Sequence, residues 1–168
     1  MSKESQIDIV NQSQSQPVIR MNFITDYIKK IELNVQKTQY ALSKLRDIIP
    51  KTEFQILPKY TGLGNNEYEV SLEVKLKMLV SPSEEVVFDL ALECGTIYKL
   101  DGTVDLAIIE AALLVDGVTL LFPFCRQEVA RITMSSGFMP IKLDPLDFRR
   151  LYTEYKTKSS TENLPQAS

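Results

Sequence analysis

Glu67-Tyr68-Glu69-Val70-Ser71-Leu72-Glu73-Val74-Lys75-Leu76-Lys77-Met78-Leu79-Val80 decides the fold class. Tyr68, Val70, Leu72, Val74, Leu76 and Met78 alternate with Glu67, Glu69, Ser71, Glu73, Lys75 and Lys77. A side-chain period of two puts the apolar set on one face of a strand and the polar set in water. Asn65-Asn66 before the stretch and Ser81-Pro82-Ser83 after it are turn signals. Beyond that turn, residues 84–100 repeat the pattern. Val86, Phe88, Leu90, Leu92 and Cys94 share one face, and Glu85, Val87, Asp89, Ala91 and Glu93 share the other. The short connection makes the two strands an antiparallel hairpin.

Outward from this hairpin, two earlier segments read as strands. In residues 23–35, Ile31, Leu33 and Val35 alternate with Lys30, Glu32 and Asn34. In residues 54–60, Phe54, Ile56 and Tyr60 share a parity, and Pro58 suggests a sheet edge because it lacks a ladder donor. Residues 39–49 read as a short helical turn or a loop ended by Pro50.

The chain changes character after Gly102. Residues 104–121 carry only Asp105, Glu110 and Asp116 as charges, which predicts a buried or broken helix. Pro123 is expected at the first position of a new helix, where its missing N–H costs nothing. Cys125, Val129, Ile132 and Ser136 follow helical spacing, and Gly137 suits a left-handed C-terminal cap. A last helix is expected to be capped by Asp144, with Pro145 at its first position and Asp147 at the positive end of its dipole. Phe148, Leu151, Tyr152 and Tyr155 form its apolar stripe. The predicted class is α+β: a four-stranded antiparallel sheet with two C-terminal helical regions packed on one face.

At 168 residues the chain fits one domain with a core of useful size. Residues 1–17 and 157–168 read as tails poor in large apolar groups, leaving a folded domain over 18–156. The net charge is −3 and the pI about 5.1, so no basic surplus is present for a nucleic-acid backbone. No signal peptide is read at the N-terminus. The longest apolar run, residues 113–124, is interrupted by Asp116, Gly117 and Pro123 and is expected to fall short of the ~20 residues of a membrane span. The expectation is a soluble cytoplasmic protein without direct membrane insertion.

Catalytic chemistry finds little to work with. The chain contains no histidine, which removes His-based triads, bases and metal ligands. Cys94 and Cys125 lack C-x-x-C spacing and read as reduced, buried thiols. Arg126 beside Cys125 could lower a thiol pKa, but no histidine is present to act as base. Thr61-Gly62-Leu63-Gly64-Asn65 lacks the third glycine and the Lys-Ser/Thr of a phosphate loop, so it reads as a flexible loop. Glu67, Glu69 and Glu73 read as a solvated strand face, with partner docking as the alternative. No enzyme, metal or cofactor is expected.

Two ordered motifs carry a family resemblance. Leu121-Phe122-Pro123-Phe124-Cys125-Arg126-Gln127-Glu128 is similar to the Leu-Phe-Pro-Tyr/Phe-Ala-Arg run of the SecB family of export chaperones. Phe138-Met139-Pro140-Ile141-Lys142-Leu143-Asp144-Pro145-Leu146-Asp147-Phe148 resembles that family's linker into its last helix. The resemblance covers about residues 24–155.

The resemblance implies a homotetramer, assembled as a dimer of dimers, that holds unfolded precursor proteins in apolar grooves without ATP or cofactor. It implies a client groove of Phe122, Phe124, Phe138, Met139, Ile141, Leu143, Phe148 and Tyr152. It places subunit contacts at the long helix and at Leu90, Leu92 and Cys94. Family members that deliver clients to the SecA motor carry acidic residues on the first strand and the outer face of the fourth. The matching positions here are Lys30, Asn34, Asp89 and Ala91, so the possible motor-docking acids reduce to Glu85, Asp89 and Glu93.

The function this implies is a cytosolic holdase that keeps unfolded preproteins competent for translocation by SecA. The alternatives are a SecB-like chaperone dedicated to another client, such as an antitoxin, and a small-ligand or lipid binder using the same apolar cavity.

Overall fold

The computed structural model describes residues 19–43, 49–81, 83–102 and 105–162. The expected N-terminal tail, together with Val18, Pro82 and Val104, lies outside the described residues. The order of elements is β1 (Arg20–Val35), α1 (Gln39–Ser43), β2 (Ile49–Gly64), β3 (Glu67–Ser81), β4 (Glu85–Asp101), α2 (Leu106–Ala111), a π-helical segment (Ala112–Gly117), α3 (Val118–Ser135) and α4 (Phe148–Glu162).

The four strands form one antiparallel sheet in the order β1-β4-β3-β2. After β1, at one edge, the chain passes α1 and enters β2 at the other edge. It then returns strand by strand to β4, which pairs with β1. The β3–β4 hairpin is the one its alternation predicts: Val74 lies opposite Leu92, and Leu76 opposite Leu90. Val70, Leu72, Val74, Leu76, Leu90, Leu92 and Cys94 are completely buried beneath the helices. Ser71 of the outer face is also buried, and a register shift at Met78/Leu79 reverses the expected parity at the start of β4: Val87 is the extra residue there and joins the core, while Val86 lies opposite Leu79.

Several boundaries differ from the sequence reading. The Gly-x-Gly stretch is no loop: Thr61 to Gly64 finish β2, and the turn falls at Gly64, Asn65 and Asn66, all with positive φ. Glycine and asparagine are the residue types that tolerate this left-handed backbone. Pro50 does not end a helix but sits inside β2, opposite Val80. Both Pro50 and Pro58 lie in an edge strand, as expected of residues that cannot donate to a ladder.

Pro123 opens no new helix. The segments α2, π and α3 form one helical run, Leu106–Ser135, of 30 residues. Asp116, Gly117 and Pro123 therefore do not interrupt it, and the run is long and apolar enough to cross a membrane by length and composition. Val118, Leu121, Phe122, Cys125, Val129 and Ile132 are buried at helical spacing, while Pro123 faces outward. A continuous stripe packed on β3 and β4 outweighs the local cost of the breakers. In the π segment, the Gly117 carbonyl accepts a buried hydrogen bond from the Tyr98 hydroxyl at 3.1 Å. A Cβ at Gly117 would lie 3.3 Å from both Tyr98 and Val70, so the helix approaches the sheet most easily with glycine there.

The helix ends as Gly137 predicts. Gly137 has φ +81, its N–H donates to Met134 O, and the Phe138 N–H donates to Thr133 O. These two bonds form a Schellman cap, with Phe138 buried behind it. The last helix starts three residues later than expected. Asp144 and Pro145 lie in the linker, and Asp147 caps α4: its Oδ1 accepts from Arg150 N at 3.0 Å. The helix continues to Glu162, past the expected end of the folded domain at residue 156.

Candidate functional site

Two apolar clefts lie along β2, one of the two edge strands of the sheet among the described residues. The first, about 540 Å³, has β2 residues 56–60 on one side and Phe148, Leu151, Tyr152 and Tyr155 of α4 on the other, with Glu110 and Leu114 at its base. The second, about 350 Å³, is bounded by Leu42, Ser43, Pro50 and Met78 and by linker residues 138–141. Six residues of extended strand separate Pro50 from Ile56, a distance of roughly 20 Å. The two clefts therefore succeed one another along one sheet edge.

Each cleft has a rigid back. Phe148 is buried and meets Phe122 edge to face, with ring centroids 5.3 Å apart. Phe138 meets Phe88 in the same manner at 5.3 Å. The linker is held by Thr133, which is completely buried and accepts a hydrogen bond from Ile141 N at 3.0 Å. The outer ends of α4 are tied to the long helix by Arg149–Asp116 at 3.5 Å and Lys156–Glu110 at 2.8 Å. The rims are open to solvent: Met139 is 74% exposed and Tyr155 62%.

Of the groove residues expected from sequence, Phe148 and Tyr152 line the first cleft, and Phe138, Met139 and Ile141 line the second. Phe122, Phe124 and Leu143 line neither. Phe122 and Leu143 are core residues, and Phe124 packs partly buried against the core. The reading of the sequence missed the β2 wall, Leu114 and Leu42. A signal was present: Ile56 and Tyr60 share the apolar parity of a strand that Pro58 marks as an edge. Leu151 and Tyr155, members of the apolar stripe of the last helix, also line the first cleft.

Leu90, Leu92 and Cys94 are wholly enclosed in the core cluster of the protomer. They can influence a subunit contact only through the helix and strand residues that lie over them. Cys125 is also fully buried. A hydrogen bond with Cys94, together with burial, pushes its thiol far above the ordinary range, which disfavours the reactive thiolate. Among the described residues no group of three or more potential metal ligands occurs.

The outer face of the sheet carries Asp89 and Glu93 along β4, in register with β1, whereas Glu85 lies beyond that register, past the shift at Met78/Leu79 and opposite the buried Val80, and so does not continue their parity. Asn34 lies opposite Asp89, Glu32 opposite Ala91 and Lys30 opposite Glu93. Most acids on or beside this face are already paired. Lys37 binds Glu85 at 2.6 Å, Lys29 binds Glu93 at 3.2 Å, and Lys59 and Lys75 both reach Glu73. The hydrogen bond from Lys59 lowers the Glu73 pKa against a smaller opposing effect of burial.

Comparison with known proteins agrees with this architecture. The model of the SecB family, described as preprotein translocase subunit SecB, matches residues 12–159. The protein-export protein SecB of Chelativorans sp. (strain BNC1) is 27% identical over 88% of this chain and 86% of its own. That of Wolbachia sp. subsp. Brugia malayi (strain TRS) is 34% identical over 58% of this chain and 64% of its own. The Mycobacterium tuberculosis Rv1957 SecB-like chaperone, solved with a ChAD peptide from the Rv1956 HigA1 antitoxin, has the same fold. Its TM-score is 0.61 at 15% identity, over 76% of this chain and 91% of that one. With its sheet, its long helix and both of its C-terminal motifs in place, this chain belongs to the SecB family of protein-export chaperones.

Proposed function

We propose that this protein is an ATP-independent holdase of the cytoplasm that captures unfolded preproteins and presents them to the SecA motor. The observation that carries this reading is the pair of open apolar clefts on one sheet edge. An unfolded segment can lay successive side chains into both, each contributing about 1.5–3 kcal/mol before ordering costs. A folded protein hides such side chains, so selectivity for nonnative chains needs no chemical step. The exposed rims at Met139 and Tyr155 favour a passing chain over an enclosed small ligand.

The long apolar helix is read as a core helix rather than a span, because its buried stripe packs on β3 and β4. Its remaining apolar groups, including Leu120 and Met134, are exposed in the protomer and available to subunit contacts in a dimer of dimers. Several clefts in one tetramer would give avidity on a long client. Asp89 and Glu93 supply the docking face for the motor.

Mixing the purified protein with an unfolded exported precursor or its folded form, without nucleotide, tests the reading by size-exclusion chromatography with light scattering. A tetramer that captures only the unfolded form is expected. Leu151→Asp and Met139→Asp should each weaken capture, since both side chains lie at solvent-accessible positions in the clefts. Capture of neither form by the unmutated protein would refute the holdase.

A further inference from the structure

The Met139 side chain stands in solvent on a backbone pinned from both sides. Before it, Phe138 is buried, meets Phe88 edge to face and donates its N–H to Thr133 O at 3.1 Å. After it, Pro140 restricts the Met139 backbone to extended conformations. Ile141 N then donates to the Thr133 hydroxyl at 3.0 Å. Met139 lines the second cleft and is 74% exposed. The other described sulfurs are placed differently. Met78 lines the same cleft but is only 9% exposed, and Met21 packs partly buried against the core. Met134 is 58% exposed but lines neither cleft. Cys94 and Cys125 are completely buried. A soluble oxidant that reaches the cleft therefore meets the Met139 thioether before any sulfur of the core.

We propose that Met139 is an oxidant-sensitive modification site, where a hydroperoxide turns the thioether into a sulfoxide and so weakens the hold of the second cleft on apolar chains. The proposal rests on the reading that this cleft holds clients. With hydrogen peroxide, a sulfur lone pair attacks one peroxide oxygen. The S–O bond forms as the O–O bond breaks, and the proton of the attacked oxygen passes to the departing hydroxide. Sulfur is oxidised to the sulfoxide and the peroxide is reduced to water. A sulfoxide is polar and hydrogen-bonds to water, so covering it with a client side chain costs free energy where covering the thioether gains it. The fold is spared, because the contacts that pin the linker belong to Phe138, Thr133 and Ile141. Methionine sulfoxide reductases reverse the step, which makes it a switch on capture rather than damage.

The test treats the full chain and its Met139→Leu and Met134→Leu variants with hydrogen peroxide, then removes the oxidant. Peptide mass mapping locates the added oxygen. Fluorescence anisotropy follows binding of labelled, reduced and carboxymethylated α-lactalbumin, a permanently unfolded probe, and each protein is compared with its own untreated form. Met139 should gain oxygen before Met78. The treated full chain should bind roughly three- to ten-fold more weakly, the range for losing part of one side chain's burial, at an unchanged denaturant midpoint. Reductase should restore binding. Peroxide should not change the binding of Met139→Leu, and should weaken that of Met134→Leu as it does the full chain. Equal weakening of Met139→Leu and the full chain, a weakening that comes only with a fall in the midpoint, or unchanged binding once Met139 is oxidised would overturn the switch and leave the holdase standing. Absence of binding by the untreated chain would overturn both.

Discussion

The rings of Phe122 and Phe148 meet edge to face, centroids 5.3 Å apart and planes inclined by 73°, and so join the middle of the long helix to the first turn of the last one. The contact makes Phe148 structural as well as a cleft wall. Phe148→Ala and Phe122→Ala should each lower stability by about 3–5 kcal/mol. The double variant should lose less than the sum, by roughly 0.5–1.5 kcal/mol, the coupling of an aromatic pair. Denaturant unfolding of the four proteins measures this. Strict additivity would mean that the two rings do not support each other.

The start of α4 is set by Asp147, whose carboxylate accepts from Arg150 N while its carbonyl accepts from Leu151 N. Asp147→Ala should cost about 0.5–2 kcal/mol, the worth of an N-cap. Asp144→Ala, three residues earlier in the linker, should change stability by less than about 0.5 kcal/mol. Thermal unfolding of the two variants separates these positions. A larger loss at Asp144 would return the cap to that residue.

Thr133 ties the second cleft to the long helix. Its hydroxyl donates to the Val129 or Ala130 carbonyl and accepts from Ile141 N, all at 3.0 Å. Thr133→Val keeps the shape and removes the acceptor, leaving a part-buried N–H without a partner at a cost of about 1–3 kcal/mol. Amide exchange at Ile141 should accelerate in this variant while the amides of β3 stay protected. Unchanged exchange at Ile141 would show that the linker is held by packing alone.

How much of this was legible follows from the kind of signal each element carries. The β3–β4 hairpin was readable because Tyr68 to Met78 bury one parity and leave most of the other in water. β2 was only half visible: Pro50 and Pro58 are local breakers, yet an edge strand satisfies them because its outer N–H positions need no ladder partner. The long helix was legible only in two pieces, a buried or broken helix over residues 104–121 and a new one opening at Pro123, because the signal of a proline is local whereas the buried stripe that overrides it runs from Leu113 to Ile132. The cleft was half legible for a related reason. The α4 stripe and linker motif announce one wall, but the opposite wall comes from β2, about ninety residues earlier in the chain. Only the sheet order brings the two together.

Acid should weaken the fold partly through Glu69. Burial alone would raise its carboxyl pKa, but hydrogen bonds from Lys29 and Tyr27 outweigh that and hold it below the ordinary 4.5. With the folded-state value below the unfolded one, the unfolded chain takes up the proton first as pH falls. The stability this carboxylate contributes is therefore intact above pH 4.5 and is lost as pH drops through the lower folded value. Lys29 has the opposite sign. Its hydrogen bond to Glu69 raises its pKa against the opposing effect of burial, so its contribution is complete below 10.5 and is lost as pH rises through the higher folded value. Glu69→Gln should flatten both limbs of the stability–pH curve. Denaturant midpoints from pH 3 to 11 give the comparison. Parallel curves for the unmutated chain and Glu69→Gln would mean that the contacts of Tyr27 and Lys29 with Glu69 contribute nothing to folding.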